Sequence, residues 1–319
     1  MRPLQGNRLH APQAARPVPR CAPVPARRAR CLRSPTPGHG YCTGVSIVAT
    51  HLHAVVRTPS PNLASCELTW IARAPIDPGR AAHQHASYVD RLRAWNLKVT
   101  TLPAEATLPD SVFVEDTAVI LPEITIVARL GTASRAPEAD LMAGPLAVLC
   151  ARPIVRMQPP ARLEGGDVLR VGRRLFVGQG PRTDERGLAA FASIVNQYGY
   201  DVTPVPVTGC LHLKTACTAL SDDTLLINPD WVDAASFEGF DLVPVAPDEP
   251  FAGNVLRVGE RLAIPDGFPE TTGRILGKGF NVETIDISEF RKAEAGLTCL
   301  SLIGCAAPRS LPRRIPRRG

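Results

Sequence analysis

From about residue 47 the hydrophobic positions fall into short β-rich runs, separated by single amphipathic segments. Alternation of this kind predicts an α/β protein. The stretch Val168-Leu-Arg-Val-Gly-Arg-Arg-Leu175 returns as Val255-Leu-Arg-Val-Gly-Glu-Arg-Leu262. Each copy reads as strand, tight glycine-containing turn and strand, which is a β-hairpin. Comparable hairpins fit residues 117–128, turning at Pro122-Glu123, and 216–228, turning at Ser221-Asp222-Asp223. A fifth unit joins a strand near Ala54–Arg57 to one near Leu297–Ile303, from opposite ends of the pattern. The intervening segments predict helices at 79–96, 137–149, 184–199, 230–238, 270–278 and 287–294. Units recurring at roughly 40–50 residues suggest modules stacked or arranged around an axis. A ring closed by both chain ends would bring loops from every module to one mouth, where a site assembled from distant sequence belongs.

Composition narrows the class. A chain of 319 residues, 45% hydrophobic, can bury one sizeable core. No apolar run is long enough to cross a bilayer, so a membrane partner is not expected. Nine cysteines without a C-x-x-C pair suggest neither a zinc site nor a disulfide framework, and a reducing, cytoplasmic setting is the simpler reading. The formal charge of +6 is spread unevenly. Residues 1–50 hold eight arginines and no acid, and residues 307–319 hold five more and no acid, which leaves −7 for residues 51–306. A surface for nucleic acid would have to lie in the tails alone, so no nucleic-acid partner is expected. Residues 1–46 and 307–319 mix Arg, Pro and Ala without hydrophobic period and read as disordered basic extensions. Between them, residues 47–306 read as one catalytic domain. Only four of the 36 basic residues are Lys, as in translated GC-rich DNA, and a native start near Val45 is the expectation.

Four polar clusters interrupt apolar runs at corresponding places in successive modules. They are Asp110-Ser-Val-Phe-Val-Glu-Asp116, Glu164-Gly-Gly-Asp167, Leu211-His-Leu-Lys214 and Gly296-Leu-Thr-Cys299. Taken singly, each has a plain explanation. A lone strand cysteine is more often a small core residue than a nucleophile. His212 between leucines reads as a hydrogen-bonded core histidine, and Gly165-Gly166 as a tight turn with φ > 0. Glu115 and Asp116 run into the apolar stretch Ala118–Leu121, so burying them requires something positive to meet them. Together the clusters supply a nucleophile, a base, an orienting acid and an anionic pair. That set suits a guanidinium, a planar cation whose fork of N–H donors carboxylates hold with charge-assisted bonds. Its carbon resists water but yields to a thiolate, and the departing amine needs an acid such as histidine.

The order of these blocks resembles the dimethylarginine dimethylaminohydrolase family. His53-Ala-Val-Val-Arg57, Gly131-Thr-Ala-Ser-Arg135 and Gly180-Pro-Arg-Thr183 are similar too, and the likeness covers about residues 49–303. It implies a five-fold pseudosymmetric α/β-propeller of ββαβ-type modules, the pentein fold. It also implies Cys299 as nucleophile, His212 as general acid and base, and Glu164 as its partner. Asp116 and Glu115 are similar to guanidinium ligands, with Phe113 packed near that group. Arg135 and Arg182 resemble residues that hold the substrate's α-carboxylate. Asp110, Leu68 on a lid loop and the backbone of Ala293 match weaker contacts. The implied reaction hydrolyses a methylated arginine to citrulline and dimethylamine through a covalent thiouronium on Cys299, with no cofactor and no metal. The partner is then a small-molecule guanidine, and a homodimer is compatible with the family. Two departures stand out: Ala136-Pro137 follows Arg135 where related sequences often have another basic residue, and the final strand breaks off early at Gly304. Arginine deiminase, agmatine deiminase and amidinotransferases are the neighbouring alternatives within the superfamily, and a non-catalytic binding module with basic tails is the distant one.

Overall fold

The computed structural model describes residues 52–150 and 152–305. The expected basic extensions and the start near Val45 lie outside the described residues. Five three-stranded sheets carry the fold. In the first, β1 (Leu52–Arg57) is central, between β2 (Lys98–Leu102) and the last strand, β15 (Leu302–Cys305). The second comprises β3 (Ala118–Ile120), β4 (Thr125–Val127) and β5 (Ile154–Arg156); the third, β6 (Val168–Val171), β7 (Arg174–Gln179) and β8 (Asp201–Pro206). The fourth holds β9 (Cys217–Ala219), β10 (Thr224–Ile227) and β11 (Asp241–Pro244); the fifth, β12 (Leu256–Val258), β13 (Arg261–Pro265) and β14 (Val282–Ile285). Each sheet follows one rule: the central strand pairs antiparallel with the hairpin partner and parallel with the strand that returns after the crossover.

The hairpin strands face the axis. Val119, Leu169, Ala219, Leu256 and Ile303, one from each module, line a common cavity of about 450 Å³. The five units therefore form the propeller that the repeats predict. Its closure depends on the expected junction of distant segments, because Ala54 pairs with Ile303 and Val55 with Leu302. Gly304 fits this closure by size, since a Cβ there would come within 2.7 Å of the Ile120 side chain on the neighbouring module.

Helices pack outside the sheets. Helix α1 (Pro78–Ala94) starts where Asp77 accepts the Arg80 N–H at 3.0 Å and Pro78 presets the first turn. It buries Ala81, Tyr88, Val89 and Leu92. Helices α2 (Ala136–Cys150), α3 (Glu185–Val195) and, later in the chain, α5 (Pro269–Gly277) occupy predicted positions, with a single turn α4 (Leu213–Ala216) before α5. Two expectations are corrected. Over 230–238 only a 3₁₀ turn, Ala234–Phe237, forms; Trp231 and Val232 donate back to Asn228, and Gly239 at φ 88° leads the chain out. Over 287–294 there is one turn, α6 (Ser288–Arg291), stopped where Glu294 enters the left-handed region at φ 59°. Among the described residues no helix is long and apolar enough to cross a membrane.

His85 on α1 is a buried histidine, with Phe290 as its ring neighbour and Nε2 without a hydrogen-bond partner. Burial lowers its pKa from 6.5 to about 4. The unfolded chain takes up this proton near pH 6.5 and the folded one only near 4, so His85 leaves stability intact above 6.5 and erodes it as pH falls between the two values. At pH 5 the loss is about 2 kcal/mol relative to pH 7. Urea denaturation at both pH values should show that difference, and His85→Leu should remove it.

Candidate active site

Every module places a short turn immediately before its axis-facing strand. These turns are Val114–Thr117, Gly165–Asp167, α4, Pro250–Gly253 and Thr298–Leu300. The four polar clusters read from the sequence occupy four of them, or the residue just before. The ring therefore gathers groups separated by up to 183 positions, as the contact of Thr298 with Glu115 demonstrates.

His212 stands just before α4, buried, with its Nε2 2.7 Å from Glu164 Oε2. The other oxygen of Glu164 accepts the Gly131 N–H at 2.7 Å. Asp167 holds the next layer: it accepts the Thr183 hydroxyl at 2.6 Å and the Leu213 N–H at 2.9 Å, which fixes the backbone adjoining His212. Burial alone would depress the His212 pKa, but Asp116, Asp167 and Glu164 overcome it and raise the value to about 9. Glu164 moves the opposite way. Burial would raise it, yet the His212 bond and the charges of His212, Arg135 and Arg182 hold it well below the carboxylate range. The imidazole is thus an imidazolium at neutral pH, paired with a carboxylate.

The expectation of cations beside Glu115 and Asp116 is met. Lys214 Nζ bonds Glu115 Oε1, and Thr298 Oγ1 donates to Oε2 at 2.6 Å. Arg135 Nη1 reaches Asp116 Oδ2 at 3.0 Å, and the Gly166 N–H donates to Oδ1 at 3.1 Å. Gly166 is needed for close approach and not for a positive φ, because a Cβ would lie 2.6 Å from Asp116 Oδ1 and 2.8 Å from the His212 ring. Asp116, Glu164 and His212 present ligand atoms within 4.8 Å of one another, a spacing that would suit a cation. Arg135 lies against that cluster, 4.0 Å from Glu164 as well as bonded to Asp116.

Cys299 lies in the turn Thr298–Leu300, partly buried, with the Gly296 N–H 3.4 Å from its Sγ. Burial, Glu115 and Asp116 push its thiol well above the ordinary range, against smaller opposing effects of Gly296 and Lys214. Asn254 secures this turn: it accepts the Thr298 N–H at 3.1 Å and donates to Thr298 Oγ1 at 3.0 Å and to the Lys214 carbonyl at 2.8 Å. Beneath it, Tyr88 and Ser301 share a fully buried hydrogen bond of 2.7 Å. Asn254 and Tyr88 therefore support the turn of Cys299 and the residue that follows it.

The remaining predicted residues sort into two groups. Leu68, Phe113, Ala293 and Cys299 belong to one apolar cluster, in which Phe113 meets Phe290 edge-on with ring centres 6.5 Å apart. Asp110, Arg135 and Arg182 are all buried and engaged within the chain. Asp110 accepts the Glu67 N–H, Arg135 adds three bonds to Glu138 of 2.8–3.2 Å, and Arg182 bonds Glu67 at 3.3 Å. Sequence reading missed Asn254, Glu138 and Tyr88, and named Lys214, Asp167 and Thr183 without roles. Only for Lys214 was there a signal, since the buried acids required a cation.

No family model matches the chain. Known proteins do. The chain is 31% identical over 250 residues to N(G),N(G)-dimethylarginine dimethylaminohydrolase of Pseudomonas aeruginosa, covering 78% of this chain and 98% of that one. It is 36% identical over 251 residues to the protein of the same name from Streptomyces coelicolor, covering 78% and 95%. Among solved structures, the Pseudomonas aeruginosa enzyme, as a cysteine-to-serine variant complexed with citrulline, matches with a TM-score of 0.75 at 30% identity, over 79% of this chain and 98% of that one. The N-terminal domain of ArgZ, covalently bound to a reaction intermediate, matches in fold with a TM-score of 0.70 at 20% identity, covering 79% and 97%.

The Gly166 packing predicts that Gly166→Ala forces Asp116 and the His212 ring apart. Denaturant unfolding should register a loss of about 1–3 kcal/mol. NMR titration of His212 should show its pKa falling as Asp116 moves away.

Proposed function

The chain belongs to the dimethylarginine dimethylaminohydrolase family, and from that premise we propose that it hydrolyses N-methylated arginine to citrulline and dimethylamine. The observation that carries this reading is the buried imidazolium–carboxylate pair of His212 and Glu164, held in the same ring of turns as Cys299. In this reading Cys299 is the nucleophile, His212 the acid and base, and Glu164 the group that orients the ring. Asp116 meets the guanidinium, with Phe113 packing near it. Glu115, paired with Lys214 and Thr298, adds to the negative field around the thiol. Arg182 takes the α-carboxylate, with Arg135 alongside, while Asp110, Leu68 and the Ala293 backbone close around the amino-acid end.

The electrostatics order the steps. Before substrate, the thiol keeps its proton because it is buried and because Glu115 and Asp116 already supply negative charge around it. An arriving guanidinium reverses that field, and the thiol ionises, passing its proton to solvent. The thiolate forms a C–S bond to the guanidinium carbon. His212 then gives its proton to the departing nitrogen, the C–N bond breaks, and dimethylamine leaves a thiouronium on Cys299. The now neutral His212 takes a proton from water, the hydroxide adds to the same carbon, and the C–S bond breaks to release citrulline.

Residues 47–306 form a single catalytic domain in this reading, since the first module needs both ends of that span. Cysteines 66, 150, 210, 217 and 299 are free, which suits the reducing cytoplasm. The acidic balance of residues 51–306 suits a small cationic partner better than nucleic acid.

Assays with dimethylarginine, arginine and agmatine test the reading, with amine release as the measured quantity. Cys299→Ala should lower turnover of dimethylarginine by ~10,000-fold or more; unchanged release in that variant would refute the mechanism. Turnover should decline as pH rises through about 9, where His212 loses the proton it must donate. Glu164→Gln removes one of the anions holding that proton, and the declining limb should move at least roughly one pH unit lower.

A further inference from the structure

Groups of the chain itself already occupy the residues assigned to the substrate, and one occupant has no part in the reading above. Glu67 directly precedes Leu68 in the loop that leads to α1. Its Oε2 accepts a hydrogen bond from Arg182 Nη2 at 3.3 Å, and the Ser134 hydroxyl donates to its Oε1. Its own N–H points to the Asp110 carboxylate, 3.2 and 3.3 Å from the two oxygens. Arg182 is buried, and among the described residues its Nη1 has no hydrogen-bond partner, although it forms an ion pair with Glu164 Oε1 at 3.5 Å. A guanidinium offers two parallel donors to a carboxylate. Glu67 meets only one of them, and the other has the charge of Glu164 near it but no hydrogen bond.

The same loop is fastened a second time. Glu294 accepts the N–H groups of Thr69 at 3.0 Å, of Trp70, and of Ile71 at 2.8 Å. Residues 67–71 are therefore tied down by three carboxylates, Glu67 reaching out from the loop, and Asp110 and Glu294 reaching in to its backbone. The second tie makes no use of Arg182.

We propose that Glu67 is a specificity-determining residue, whose carboxylate holds on Arg182 the place that the α-carboxylate of the substrate takes over. The inference rests on the assignment of Arg182 to that carboxylate. A substrate ending in a carboxylate can replace the charge of Glu67 and also satisfy Nη1. A guanidine ending in a neutral group leaves the internal pair in place. Glu67 thus rejects uncharged ends by competition, at the cost of weaker binding for every ligand that must displace it. The apparent affinity for a carboxylate falls by the fraction of molecules in which Arg182 is free. When Glu67 is displaced, its side chain leaves Arg182 while Asp110 and Glu294 retain the backbone of residues 67 and 69–71, so occupancy of the carboxylate subsite moves the Glu67 side chain and leaves the loop anchored.

The test compares KM for dimethylarginine and for its carboxamide in the intact protein and in Glu67→Gln. Glutamine keeps the size and an acceptor but removes the charge. The intact protein should prefer the carboxylate, and Glu67→Gln should lower KM for dimethylarginine roughly fivefold while shifting the carboxamide less than twofold. An unchanged KM for dimethylarginine would overturn the proposal, as would a rise for both compounds, which would mean that Glu67 binds substrate directly. Absence of any preference in the intact protein would instead remove Arg182 as the carboxylate ligand. Ser134→Ala withdraws one partner of Glu67 by a milder change and should shift the ratio of the two KM values in the same direction; if Glu67→Gln does not fold, an unchanged ratio in Ser134→Ala overturns the proposal in its place.

Discussion

Two adjacent carboxylates, Glu115 and Asp116, lie inside the protein, and the rest of the site is arranged around the consequences. Removing such charges from water costs several kcal/mol each unless cations and donors replace the lost solvent. The replacements come from four different modules: Lys214, Thr298, Arg135 and the Gly166 N–H. The field of the two carboxylates adds to burial in keeping a proton on Cys299, and Asp116, with Asp167 and Glu164, keeps one on His212. The anionic pair is therefore both a structural demand met by the ring and a field that a cationic ligand would reverse at Cys299.

The ring is what makes such a site affordable to a chain with short strands. Most axis-facing strands are three or four residues long, and each alone would be marginal. Closure of β1 onto β15 removes the two free ends that an open array of modules would leave. It also explains why the turns before the inner strands are the functional positions. They are the points at which all five modules converge, and each is backed by a sheet that fixes the direction of its side chains.

Much of this was legible in the sequence, and the reason differs by element. The hairpins were readable because their strands are short β-rich apolar runs and the turns carry their own residues; Val168–Leu175 and Val255–Leu262 also announce each other. The strands that return after the crossovers were not. β5 and β11 are short and largely exposed, and they hold their places through parallel pairing with β4 and β10, which leaves little local pattern. At the site, Cys299, His212, Glu164 and Asp116 were readable because polar groups in apolar runs need explaining. Glu67, Glu294 and Asn254 were not, because each is an ordinary loop residue until its partner, often more than 100 positions away, is known. The Gly165-Gly166 pair was seen but misread: its use is closeness to Asp116 and His212, a property of the packed state alone.

Tyr88, near the start of the described chain, hydrogen-bonds Ser301, near its end, and β1 pairs with β15. Cys299 is thus the last of the assigned groups to be translated, and its seat was laid down among the first. During synthesis the carboxylates, the histidine and both arginines therefore emerge before Cys299 is available to join them, and before the strand that closes the ring around them.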